Sequence, residues 1–152
     1  MKLDSTNWQI LELLQQEARM SYAEIGKVVG LTAPAVAERV RKLEEAGIIT
    51  GYHAHVNLDA LGLTLMGLVH VQNPKMHANR VTALAQSCPE VLTCDEVTGQ
   101  NNYVLRVVAA NRAHLRDVIQ RFLEYGMTTS SVVLARHVVF KPITAAIWQF
   151  DR

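Results

Sequence analysis

The chain has 152 residues, 49% of them hydrophobic, enough to fill the core of one ordinary domain or of two small ones. Lys2 is the only cation before Asp4 and Glu12 breaks the first apolar stretch, so no export signal can be drawn; nor does any apolar run approach the ~18 residues that span a bilayer, and a cytoplasmic protein is expected. Net charge is +1, and residues 1–60 carry six Lys/Arg against eight Asp/Glu, so contact with a polyanion must rest on where individual cations stand.

Asp4 predicts an N-cap for a first helix with Trp8, Ile10, Leu11 and Leu14 at three- and four-residue steps and Ala18 extending the stripe. Ser21 followed by Glu24 is a capping box, opening a short helix with Ile25 and Val28 inward that ends at Gly30. Thr32 is the next N-cap, with Pro34 in the tolerated first turn, Val36, Val40 and Leu43 as the inward stripe and Gly47 as the stop. The turn between Gly30 and Thr32 is too short for antiparallel helices, which predicts a helix-turn-helix.

Projected at 100° per residue, the third helix turns Pro34, Glu38, Arg41 and Lys42 outward and leaves Arg39 on the flank. In this motif the start of the recognition helix meets base edges and nearby cations meet phosphates, so Thr32, Ala33, Pro34 and Ala35 stand nearest the bases, with Arg39, Arg41 and Lys42 beside them. Three cations alone would better suit a solvated face paired with Glu38, Glu44 and Glu45. The order of capping box, short helix, Gly turn, Thr cap, basic helix and terminal Gly points to DNA.

Leu3-Asp4, Ile10-Leu11, Arg19, Ile25-Gly26, Gly30-Leu31-Thr32 and the run from Arg39 to Ile49 resemble the Lrp/AsnC (feast/famine) family of bacterial and archaeal regulators. The resemblance implies a winged helix-turn-helix in which Thr32, Pro34, Arg39 and Lys42 occupy positions like the family's DNA-facing ones.

Residues 48–57 alternate as a half-buried strand and link the two domains, expected at 1–50 and 64–142 with a linker at 51–63 and a tail at 143–152. Beyond Gly62 the pattern reads strand 64–72, helix 76–87, strands 91–98 and 103–110, helix 112–124 and strand 128–140. This predicts an α+β chain whose second domain is a ferredoxin-like βαββαβ unit with both helices on one sheet face. Val104 and Val108 are apolar as well as Leu105 and Val107, so the other face needs a cover, and self-association is expected. The resemblance implies an effector-binding and oligomerisation domain, paired through sheet faces into homodimers and in some members into tetramers of dimers. A two-fold dimer suits a partly palindromic operator in double-stranded DNA, bound at the nucleoid.

Val97 to Tyr103 is expected to join the two central strands, at the place where the family has a Gly-Asp-x-Asp-Tyr-like motif near its amino-acid site. The resemblance thus implies effector contacts at Gly99, Gln100, Asn101, Asn102 and Tyr103. Gln100 and Asn102 are neutral where relatives offer carboxylates, which weakens amino-acid binding by ~1 to 2 kcal/mol. A plain polar β-turn, with Gly99 supplying the permissive dihedral, is the competing reading. It leaves open an architectural DNA-binding protein without an effector.

The six histidines at 53, 55, 70, 77, 114 and 137 are scattered and no Ser or Cys motif stands beside them, so no catalytic residue and no enzyme activity are expected. His53 and His55 share a strand face but lack a third ligand, and Cys88 and Cys94 fit no zinc or redox spacing, so no metal and no cofactor are expected.

Overall fold

The computed structural model describes residues 3–72 and 78–147. Contacts divide the chain into a unit that runs to His55 and takes in the segment from Val138, and a second unit from Val56 to His137.

In the first unit, helix α1 (Ser5–Gln16) starts where the Asp4 carboxylate accepts the Asn7 N–H at 2.7 Å. It stops before Ala18, which is exposed instead of extending the stripe. Helix α2 (Tyr22–Val29) carries the complete capping box: the Ser21 hydroxyl accepts the Glu24 N–H, and the Glu24 carboxylate accepts the Ser21 N–H. Its inward positions are Ile25 and the half-buried Val29, whereas Val28 is 62% exposed. The four-residue step lies nearer the 3.6-residue period than the expected three-residue step. Gly30 ends α2 in the left-handed region at φ 70°.

Helix α3 (Ala33–Glu45) follows within three residues. Thr32 holds the N-cap position with extended backbone, but its hydroxyl makes no cap hydrogen bond, contrary to expectation. The fully buried Ile10, Ile25, Val36, Val40 and Leu43 close the three-helix core together with Leu11 and Leu14.

Residues 48–57 form no strand. Alternation favours a strand only where neighbouring backbone supplies a ladder, and no such neighbour pairs with them among the described residues. Ile49 packs on the helical core, the Tyr52 hydroxyl donates to Glu44 Oε1 at 2.9 Å and the His55 ring lies 5.4 Å from that of Phe140. The Gln15 carboxamide bonds both the N–H and the C=O of Ile143, at 2.9 and 3.0 Å, and so ties this returning segment to α1.

The second unit is the expected βαββαβ: β1 (Leu65–Gln72), α4 (Ala78–Ser87), β2 (Val91–Glu96), β3 (Asn101–Ala109), α5 (Arg112–Leu123) and β4 (Met127–Val132). The sheet is antiparallel in the order β2-β3-β1-β4. The hairpin at 97–100 therefore joins an edge strand to a central one, not two central strands as expected. Met76 and His77, assigned to the first helix of this domain from sequence, lie outside the described residues.

The last strand is shorter than the expected 128–140. Val132 pairs with Gly67 and the Val133 N–H reaches Met66 O at 2.8 Å, after which β1 is nearly exhausted and the apolar run has no backbone to pair with. Val69, Val71, Leu105 and Val107 turn inward onto Val81, Leu115, Val118 and Phe122 of the two helices. The register puts Met66, Leu68 and His70 beside Val108, Arg106 and Val104 on the opposite face.

Candidate nucleic-acid interface

Gly26 sets the approach of α2 to α3. Its carbonyl accepts the N–H groups of both Gly30 and Leu31, and a Cβ built on it would stand 2.4 Å from the Leu31 carbonyl oxygen. The tight turn presents the first turn of α3, with Thr32 and Pro34 exposed and Ala33 and Ala35 half-buried. The early N–H groups of a helix lack acceptors within it and carry the positive end of its dipole.

Arg41 donates to Glu38 on both Nε and Nη2, at 2.9 and 2.7 Å, and pairs with Glu45, while Lys42 Nζ stands 3.4 Å from Glu38. The Arg41 guanidinium holds the Glu38 carboxyl down at about 2, with Lys42 contributing, and Glu38 raises the pKa of Arg41 in return. All these groups are exposed, so the pairs are weak and easily broken.

Arg39 behaves differently. Its Nη1 donates at 2.8 Å to Asp4 Oδ2 and at 2.8 Å to Asn7 Oδ1, so it faces α1 and not open solvent. Its guanidinium holds the Asp4 carboxyl below the ordinary range.

In the second unit the hairpin closes with the Val97 N–H on Asn102 O at 2.9 Å, and Gly99 adopts φ 100°. Gln100 is exposed and Asn102 half-buried, whereas Tyr103, on β3, is buried in the core. His53 and His55 are exposed, and among the described residues no group of three or more His, Cys, Asp or Glu side chains could hold a metal ion.

Sequence reasoning missed one polar cluster. Glu90 Oε2 accepts the Cys88 thiol at 3.0 Å and Arg121 Nη1 at 3.2 Å, and Oε1 accepts Arg121 Nη2 at 3.4 Å. The Ala110 N–H donates to His114 Nδ1 at 3.3 Å, which leaves Nε2 to donate to Glu90 Oε1 at 3.0 Å. Bonds from Cys88, then His114 and Arg121, hold the Glu90 carboxyl down at about 2. Burial pushes the Cys88 thiol up, which keeps it protonated and suits a hydrogen-bond donor better than a nucleophile. The available signal was the seven-residue spacing of His114 and Arg121, which puts both on one helix face.

Residues 3–44 match the AsnC-type helix-turn-helix domain and residues 65–143 the Lrp/AsnC ligand binding domain. Among curated relatives, the HTH-type transcriptional regulator YezC of Bacillus subtilis is 38% identical, over 88% of this chain and 94% of its own. The structure of B. subtilis LrpC aligns with a TM-score of 0.87 at 30% identity, covering 92% of this chain and 100% of that one. A transcriptional regulator from Neisseria meningitidis, solved as its L-Met complex, aligns with a TM-score of 0.89 at 25% identity, covering 97% and 99%. No helix among the described residues is long and apolar enough to cross a membrane. A DNA-binding fold in the first unit, a ligand-binding fold in the second and relatives that span both place the chain in the Lrp/AsnC family of helix-turn-helix transcriptional regulators.

Proposed function

We propose that the protein regulates transcription as a homodimer, laying the first turn of α3 in the major groove of a partly palindromic operator and answering to an amino acid. The observation that carries this is the Gly26 turn, which leaves Thr32, Ala33, Pro34 and Ala35 at the leading end of α3 with exchangeable cations, Arg41 and Lys42, behind them. Bases meet the leading turn; phosphates take Arg41 and Lys42 from Glu38 and Glu45.

The test is binding of the full-length protein to duplexes selected from a random pool, over a salt series. Arg41→Ala and Lys42→Ala are each expected to weaken binding about three- to tenfold and to lower the slope of log affinity against log salt by about 0.9, one released counterion. Unchanged slopes in both variants would remove these residues from the interface.

The outer sheet face supports self-association. Met66, Leu68, Val104 and Val108 form an apolar strip on it, beside Arg106 and between polar edge positions such as Asp95 and Ser131, and His70 Nδ1 is buried there without a hydrogen-bond partner among the described residues. Sedimentation is expected to give a dimer or a multiple of it at micromolar concentration, and Leu68→Glu a folded monomer; a monomeric parent protein would defeat this assembly.

The effector is proposed at the hairpin, with Gly99, Gln100, Asn101 and Asn102 at the ligand and Tyr103 as its buried support. L-methionine in the Neisseria relative favours an amino acid over a purely architectural role. Repeating the binding series with L-methionine and other free amino acids tests this, and indifference to all of them would overturn it.

A further inference from the structure

We infer that Arg39 is a positioning residue that sets the rotation and slide of the recognition helix through Asp4 and Asn7, and is not a phosphate contact; this rests on the DNA-binding reading above. Three features separate it from Arg41 and Lys42.

Its partners lie on another helix. Arg41 and Lys42 pair with carboxylates of α3 itself, so their bonds say nothing about where α3 sits. Arg39 Nη1 joins Asp4 and Asn7, 35 and 32 residues away in sequence, at 2.8 Å each.

Its partners are also anchored. Asp4 uses one carboxylate oxygen to cap α1 through the Asn7 N–H and gives the other to Arg39. Asn7 is 7% exposed and is the one buried polar residue among those described, so without Arg39 its carbonyl oxygen would lose its partner. Exposure follows the same division: the Arg39 side chain is 32% exposed, against 52% for Arg41 and 56% for Lys42.

The buried apolar residues of this helical core are all aliphatic. Val36, Val40 and Leu43 bury well, but apolar contact is non-directional and tolerates small rotations of a helix against its neighbours. A double hydrogen bond from a planar guanidinium does not. Misplacing the leading turn by about 1 Å takes side chains out of hydrogen-bond range of base edges while phosphate attraction persists. Arg39 therefore governs discrimination between sequences more than affinity for DNA as such.

The experiment uses the full-length protein, the duplex it selects from a random pool and a scrambled duplex of the same composition. Far-UV melts first identify a temperature at which every variant is folded. Arg39→Ala is expected to lose tenfold or more in affinity for the selected duplex, to stay within about twofold on the scrambled one and to keep the parental salt slope. Asp4→Asn is expected to lose selected-duplex affinity as well, although removing a negative charge by itself favours a polyanion; Arg39→Lys, keeping the charge without the planar fork, is expected to rescue only in part.

Parallel losses on both duplexes with a slope lower by about 0.9 would make Arg39 a phosphate contact and overturn the inference. A lowered melting temperature with discrimination intact would overturn it in favour of a purely stabilising bond. If the parent protein selects no duplex, the DNA-binding reading itself fails, which is distinct from a parent that selects while Arg39→Ala discriminates equally well.

Discussion

Gly26→Ala is expected to dismantle the helix-turn-helix while leaving the sheet unit folded. In an exposed helix interior this substitution stabilises by roughly 1 kcal/mol, because alanine is the better helix former. Here the new methyl would lie 2.4 Å from the Leu31 carbonyl oxygen, which is backbone and not the end of a flexible side chain. Relief requires moving the turn away from α2, which breaks the hydrogen bonds that Gly30 and Leu31 donate to the Gly26 carbonyl. Overpacking against backbone outweighs the propensity gain, and a net loss of about 2–3 kcal/mol is expected in a unit of only three short helices. Hydrogen exchange resolved along the chain checks this: protection is expected to fall across 5–45 and to persist in β1 and β3, with DNA binding reduced more than tenfold. Unchanged protection in α2 would show that the turn has room after all.

Glu90→Ala is expected to have the largest effect in the second unit. The carboxylate is only 13% exposed and joins Cys88, His114 and Arg121, linking the α4–β2 connection to α5. Removing it leaves the Cys88 thiol without its acceptor and Arg121 without its counterion, though Arg121 is 43% exposed and regains water. A loss of about 2–3 kcal/mol is expected, less than the ~3–5 kcal/mol of a fully buried pair because Arg121 is partly exposed.

The sign with pH follows from the direction of the shift. Glu90 titrates at about 2 in the folded protein against an ordinary 4.5, so its stabilisation is fully present above 4.5 and disappears as pH falls toward 2. Urea unfolding of the sheet unit at pH 7 and pH 3 is therefore expected to separate the parent from Glu90→Gln by less at the lower pH. An equal difference at both would remove the carboxylate's charge from the account.

The helical half was legible because its signals are local. A capping box, a left-handed glycine and a stripe of Val36, Val40 and Leu43 each act within one or two turns, and the chain folds as they dictate. Short-range signals say less where a residue's contacts lie far away in sequence. Arg39 sits on the flank of a projected helix, but its two acceptors lie on α1, which no periodicity reports. No local signal shows that the Leu31 carbonyl stands against Gly26. Tyr103 completes a motif on paper, yet strand alternation from Leu105 and Val107 turns its ring into the core.

Residues 48–57 and 133–140 have the alternation or apolar content of strands and still form none beyond Val132. Composition and period establish that a segment favours extended backbone, but a strand exists only when another strand satisfies its N–H and C=O groups. Sequence by itself determined the order of elements, the helix-turn-helix and the βαββαβ unit, because capping, turn chemistry and hydrophobic period are short-range. Tertiary structure alone decided which cation pairs across helices, which strand lies at the sheet edge and which polar groups cluster around Glu90, because each depends on backbone brought together from far along the chain.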